Sequence, residues 1–286
     1  MIEVTRPGGV SLDYGPMQMT IYAARRGQPL TEWARLGAEY AVQILGELAA
    51  YKETAKKPQA LVQVDDGYPP VLNEMIAAVK GSGDETLTPM AAVAGTIADL
   101  VADYLVGLGA TKVIVNNGGD IALRLDADET TTVGIAPAIG SWPSHYLRVA
   151  GTDGIGGVTT SGQGGRSFTK GIATAAVITA ERAAMADACA TSVANATYAP
   201  HPAIKLEYAG TMDPESDIAD HLVVSEVGDV PTAVVYAALE NGYRRAAELY
   251  SGGLIKGAAL FVGERGLMLP ATLLAPMKNI TEREGF

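Results

Sequence analysis

The chain has 286 residues, 48% of them hydrophobic, and a formal net charge of −11. So much apolar side chain excludes a disordered chain, and the acid surplus excludes a general DNA or RNA binder, which needs clustered Lys and Arg. A phosphorylated small ligand is not excluded, because backbone N–H groups and a metal can hold one.

The single cysteine, Cys189, rules out an intrachain disulfide and fits a reducing compartment. The chain start lacks the basic-then-apolar pattern of a signal peptide, and no apolar run is read as membrane-spanning. The expected setting is therefore cytoplasmic, with a small-molecule ligand or substrate and neither nucleic acid nor membrane as partner. A homodimer stays open.

Helix and strand signals interleave along the chain, which predicts an α/β or interleaved α+β fold. No repeat or low-complexity linker divides it. One domain over 1–286 is expected, or two interleaved subdomains. Gln18 to Ala24 alternates as a first strand. Thr31 reads as the N-cap of a helix with an apolar stripe at Trp33, Leu36, Tyr40, Ile44 and Leu48. Lys52 to Pro58 is a polar break, and Pro69 to Lys80 a short helix. Thr88-Pro89 starts a helix that Gly109 ends.

Lys112 to Asn116 is a buried-type strand, broken by Gly118-Gly119 and resumed at Ile121 to Leu125. Further strands are expected near Val133, Leu147 and Val158, and at Ala173 to Thr179. A helix is expected to begin near Asp187. His221 to Val227 reads as a strand, Pro231 to Tyr250 as a helix and Ala258 to Val262 as a late strand.

Four segments carry chemistry. The loop Gly81 to Thr88 feeds a helix start, where free N–H groups can bind an anion, although Asp84 and Glu85 oppose one. Asn116-Asn117-Gly118-Gly119-Asp120 follows a strand: it exposes backbone to a ligand or forms an ordinary tight turn. Thr159-Thr160-Ser161-Gly162, with Gln163 to Ser167, combines hydroxyls, glycines and Arg166 in a manner suited to an oxyanion. It is neither a Walker loop nor a nucleophile elbow. Asp187 and Thr191 stand one helical turn apart and offer hard oxygens to Mg²⁺ or Ca²⁺. A capping role for Asp187 explains the same spacing. His145, His201 and His221 show no metal-ligand spacing, and Cys189 reads as a packing residue.

Taken in order, these segments resemble the ApbE-like superfamily, Mg-dependent flavin transferases that move FMN from FAD to a protein Thr or Ser, and most closely its UPF0280 branch. Gly15-Pro16-Met17 is similar to the family's opening strand beside the flavin, and Thr88 to Ala102 takes the place of its Gly-rich helix start. Asn116 to Asp120 matches its Asn-x-Gly-Gly-Asp signature. Thr160-Ser161-Gly162 matches its Thr-Ser-Gly, and Ala186-Asp187 to Ala190-Thr191 its Ala-Asp-x-x-Ala-Thr metal element.

The resemblance implies mixed sheets packed with helices, and a glycine-loop ligand pocket between the halves. It implies Mg²⁺ on Asp187 and Thr191. FAD or FMN is expected near Met17, Thr88, Met90, Asn117, Gly118, Gly119, Thr160 and Gly162, with Ser161 and Arg166 completing the anion site; in a metal-independent hydrolase or lyase Ser161, Arg166 and Asp120 are the catalytic residues. The family's Gly-Gly-x-Ala-Lys-Gly stretch is here Pro89 to Gly95, without a Lys, and its Asp-Pro-x-Thr-Gly element is missing. Three readings follow: an Mg-dependent flavin or nucleotidyl transferase, a metal-independent hydrolase or lyase of a small polar metabolite, and a non-catalytic ligand-binding protein.

Overall fold

The computed structural model describes residues 1–138, 140–165 and 167–277. In chain order the elements are β1 (Ile2–Arg6), β2 (Gly9–Tyr14), β3 (Met17–Arg25), β4 (Gln28–Pro29), α1 (Thr31–Ala49), α2 (Lys52–Ala55), α3 (Pro70–Ser82) and α4 (Val93–Gly107). There follow β5 (Lys112–Asn117), β6 (Asp120–Leu125), β7 (Thr130–Ile135), β8 (His145–Ala150), β9 (Gly157–Ser161), β10 (Ala175–Ala180) and α5 (Ala183–Ala196). The chain continues through β11 (Ile204–Tyr208), α6 (Ala209–Met212), β12 (Leu222–Val227), α7 (Thr232–Ser251), β13 (Gly257–Val262), β14 (Arg265–Leu269) and β15 (Ala275–Pro276). The fold is mixed α/β, as the interleaved pattern requires.

The residues fall into two compact units: Met1–Thr131 with Ala150–Thr159 and Thr179–Ala188, and Thr132–Val149 with Thr160–Ile178 and the remainder from Cys189. The first unit is built on an antiparallel sheet in the order β1-β2-β3-β5-β6-β9, with β4 paired to β3. Strand β3 shows why it forms: Met17, Met19, Ile21 and Ala23 are buried while Gln18 and Thr20 are exposed, the period of two of a half-buried strand. Helices α1, α3 and α4 close the apolar side, with Ile44, Leu72, Ile97, Val101 and Leu105 in one buried cluster with Met19 and Ile21.

In the second unit β10 lies beside β13, which pairs with β14, and α7 packs on β13 and β14. A β11–β12 pair and the short sheet β15-β8-β7 complete it.

Four differences from the sequence reading have physical causes. Strand β3 is the third strand, because a hairpin precedes it: β1 is an exposed edge strand, and β2 lies between β1 and β3 with Val10 and Leu12 buried. Pro89–Ala92 is a 3₁₀ turn, and regular α-helix begins at Val93. Helix α5 begins at Ala183, so Asp187 lies one turn inside it. Pro89–Gly107, 19 residues with mean hydropathy 1.4, is long and apolar enough to cross a membrane by length and composition. Here it carries Asp99 and Asp103 in ion pairs and packs its apolar residues into the first unit's core.

Candidate functional site

The centre of the first unit is the meeting of two helix starts, α4 and α5. Gly95 in the first turn of α4 has no room for a side chain: a Cβ there would stand 2.3 Å from the Ala183 carbonyl oxygen and 2.9 Å from Asp187 Cβ. Gly157 on β9 is equally tight, its Cβ position 2.4 Å from Ala183 Cα. These glycines let backbone meet backbone.

The carboxylate of Asp187 accepts the Gly95 N–H at 2.9 Å, supplying the α4 start with a cap that its own residues do not provide. In return Asp99, fully buried in α4, accepts the Ala184 N–H of α5 at 2.9 Å. Each helix thus caps the other.

Ion pairs surround this exchange. Arg124 on β6 donates to Asp99 at 2.8 Å and to Asp103 at 2.6 Å. Arg182, just before α5, donates to Asp103 at 2.6 Å and to Glu74 at 3.2 Å, and lies 3.4 Å from Asp99. Sequence reading missed Asp99, Asp103, Arg124, Arg182 and Glu74. The available signal was Asp99 in the apolar stretch Val93 to Val106, because an aspartate is rarely buried without a partner.

Asp187 is the electrostatically unusual group. Burial pushes its carboxyl well above the usual carboxylate range, and the negative charge of Asp120 adds to the rise. The Gly95 N–H opposes the rise without cancelling it. Nearby Asn117 donates to the Ala94 carbonyl at 3.2 Å and ties the β5–β6 hairpin to the α4 start. Thr96, the next residue of α4, and Thr159 on β9 are buried with hydroxyls that find no hydrogen-bond partner among the described residues. Thr191 is half-buried one turn beyond Asp187 on the same helix.

This donor set fits a hard cation of the Mg²⁺ kind. Carboxylate and hydroxyl oxygens are its preferred ligands, and one or two carboxylates suffice when water or phosphate completes the shell. No group of three or more His, Cys, Asp or Glu side chains clusters for a metal among the described residues. A cage made wholly of protein ligands is not what the described residues offer.

The other sequence-predicted residues divide as follows. Gly118 and Gly119 form the two-residue turn of the β5–β6 hairpin, both at positive φ (68° and 112°). Their N–H groups are already used, Gly118 to the Gln18 carbonyl at 3.0 Å and Gly119 to the Asn116 side chain at 2.8 Å. The turn therefore holds the hairpin in register.

It also borders a cavity of about 620 Å³ on the other sheet face, where Glu3, Ser11, Thr20 and Asn116 align across four strands. That cavity carries Glu3 and Asp13 and no Lys or Arg, so it does not suit a phosphate. Met17 sits in the apolar core, Thr88 is buried, and Met90 is partly buried against the same core.

In the second unit Thr160 and Ser161 are half-buried and end β9. Gly162 follows at φ 147°, with Gln163 pinned by its N–H to the Ala173 carbonyl at 2.8 Å and by its side chain to Gly171 at 2.8 Å. Arg166 lies outside the described residues.

The model of the family described as AbpE bacteria matches residues 2–268. The chain belongs to this ApbE-like family. It is 36% identical over 211 residues to a UPF0280 protein of Methanopyrus kandleri, covering 74% of this chain and 68% of that protein, which places it in the UPF0280 branch. A UPF0280 protein of Methanococcoides burtonii is 38% identical over 138 residues, 48% of this chain, and the match spans 56% of the relative's own length. Among solved structures, the apo form of Pseudomonas stutzeri flavinyl transferase ApbE is similar at 15% identity with a TM-score of 0.49, covering 100% of this chain and 98% of that one.

Proposed function

We propose that this ApbE-like chain binds a flavin nucleotide, or another anionic small ligand of that kind, beside Mg²⁺ at the α4–α5 corner, and acts as a transferase. One observation carries the reading: the Asp187 carboxyl is held by the Gly95 N–H while burial and Asp120 oppose its charge. Asp120 and Asp187 are both partly buried, and like charges that oppose each other's ionisation are relieved by a cation.

Bound there, Mg²⁺ supplies Lewis-acid polarisation of a phosphoryl oxygen. The protein's own residues bind and orient. Asp187 provides the charged ligand and Thr191, one turn on, a neutral oxygen. Gly95 fixes which way the carboxylate points, and Asn117 holds the Ala94 carbonyl in the same corner. The missing Lys and Asp-Pro-x-Thr-Gly element leave the acceptor open, so the proposal stops at the transferase class.

A second reading has its own support. Asp187 already serves as a cap, and the Gly118 and Gly119 N–H groups are spoken for. On that reading the protein binds a small ligand without metal. Titration of the purified protein with FAD, with Mg²⁺ and then with EDTA, separates the two. Flavin binding that appears with Mg²⁺ and is lost in EDTA supports the transferase reading. Binding indifferent to EDTA, or no flavin binding, contradicts it.

A further inference from the structure

We propose that Asp99 is a positioning residue: it fixes the first turn of α5, and through that turn the place of the Asp187 carboxylate. Its bearing on function rests on reading Asp187 as a metal ligand. The geometry itself does not.

Helix α5 begins among alanines, and the residue before it, Arg182, has no side-chain acceptor for the orphan N–H groups of the first turn. Asp99 supplies that acceptor from 85 residues away, at 2.9 Å from Ala184 N. Gly95 and Gly157 allow α5 to come close, but a residue without a side chain offers no polar group to fix how α5 is turned. A hydrogen bond from a fully buried carboxylate does have direction.

Asp99 is itself locked. Arg124 holds its other oxygen at 2.8 Å, and Arg124 is anchored on β6 and braced by Asp103 at 2.6 Å. Rotation of α5 about its axis would break the Ala184 bond and, one turn on, carry Asp187 away from the Gly95 N–H. The two caps therefore form together or fail together.

A buried ion network is weak evidence for stability, since apolar side chains of the same volume can do as well. What apolar side chains cannot provide is this angular constraint on α5. Asp103 makes the control: it pairs with the same two arginines, and its carboxylate oxygens go to those side chains rather than to the α5 backbone.

The test uses the full chain. Amide exchange at Gly95 and Mg²⁺ titration calorimetry are compared for wild type, Asp99→Ala, Asp99→Asn and Asp103→Ala, with thermal unfolding alongside. Asp99→Ala is expected to speed Gly95 exchange and weaken Mg²⁺ binding by about tenfold or more each, the usual scale for losing a residue that orients a metal ligand. Asp99→Asn keeps one acceptor oxygen for the Ala184 N–H but turns an NH2 donor toward Arg124, so both losses should be smaller than those of Asp99→Ala. Asp103→Ala should lower the melting temperature yet move neither readout beyond about twofold.

If Asp99→Ala does not fold, Asp99→Leu, which fills the space without accepting, takes its place with the same expected losses. Unchanged Gly95 exchange in the folded variant, or equal effects from Asp103→Ala, overturns the proposal. If wild type itself gives no Mg²⁺ heat, the metal reading fails, and Gly95 exchange alone decides whether Asp99 positions α5.

Discussion

The Asp187 carboxylate accepts the N–H of Gly95 at 2.9 Å, across 92 residues of sequence. The contact explains two features together. Helix α4 can start at Val93 without a capping side chain of its own, because α5 brings one. Gly95 cannot carry a Cβ, because the chain that brings the cap passes against it.

Gly95→Ala should accordingly be costly. Its methyl would enter the space of the Ala183 carbonyl at 2.3 Å, where the obstacle is backbone and has little freedom to move. A loss of about 1–3 kcal/mol is expected for such overpacking, read from urea unfolding. Gly46→Ala in α1 is the matched control. Beyond its own helix backbone, no atom of the described residues lies within 4 Å of that Cβ position, and the change should stabilise by about 0.5–1 kcal/mol. Equal effects of the two would show that the α4–α5 approach is looser than described.

The acid side of the stability profile should carry the signature of Asp103. Burial alone would raise its carboxyl, but hydrogen bonds and charge from Arg124 and Arg182 outweigh that and hold it below the usual value. A depressed pKa contributes stability above the unfolded-state value, and that contribution is lost as pH falls through the folded-state value. Asp103→Asn should therefore flatten the fall in melting temperature on the acid side and lower stability at neutral pH. An acid limb identical to wild type would remove Asp103 from the network's energetics.

Cys189 should be chemically silent. It is fully buried, and burial pushes its thiol up to about 12, so almost no thiolate exists at neutral pH. Iodoacetamide should leave the native protein unlabelled and label it once in denaturant. Rapid labelling of native protein at pH 7.5 would mean that α5 opens readily at this point.

Much of the framework was legible in sequence. Lys112 to Leu125 declared its hairpin through a β-branched run and paired glycines, and α7 differed from the Pro231 to Tyr250 reading by only one residue at each end. The misses share a cause. Local sequence puts the start of α5 near Asp187, a capping type of residue, whereas the helix starts at Ala183 and its cap is Asp99, distant in sequence. Ion partners such as Arg124 and Arg182 are likewise invisible to local pattern, since their meaning depends on which strand and helix the fold brings together. Asp187 stood out through family resemblance. Its bond to Gly95 did not, because Asp-x-x-x-Thr is common and α4 lies far away in the chain.

The most direct test of the central claim is calorimetric titration of Mg²⁺ into wild type and Asp187→Ala at neutral pH, each with and without FAD. A metal site predicts saturable heat for wild type, strengthened by the anionic ligand, and at least about a tenfold loss of affinity in the variant. Folding should weaken only by the worth of a cap, about 0.5–2 kcal/mol. Equal heats from the two proteins, or no heat from either, would leave Asp187 as the cap of α4 alone and contradict a metal-dependent function for this corner.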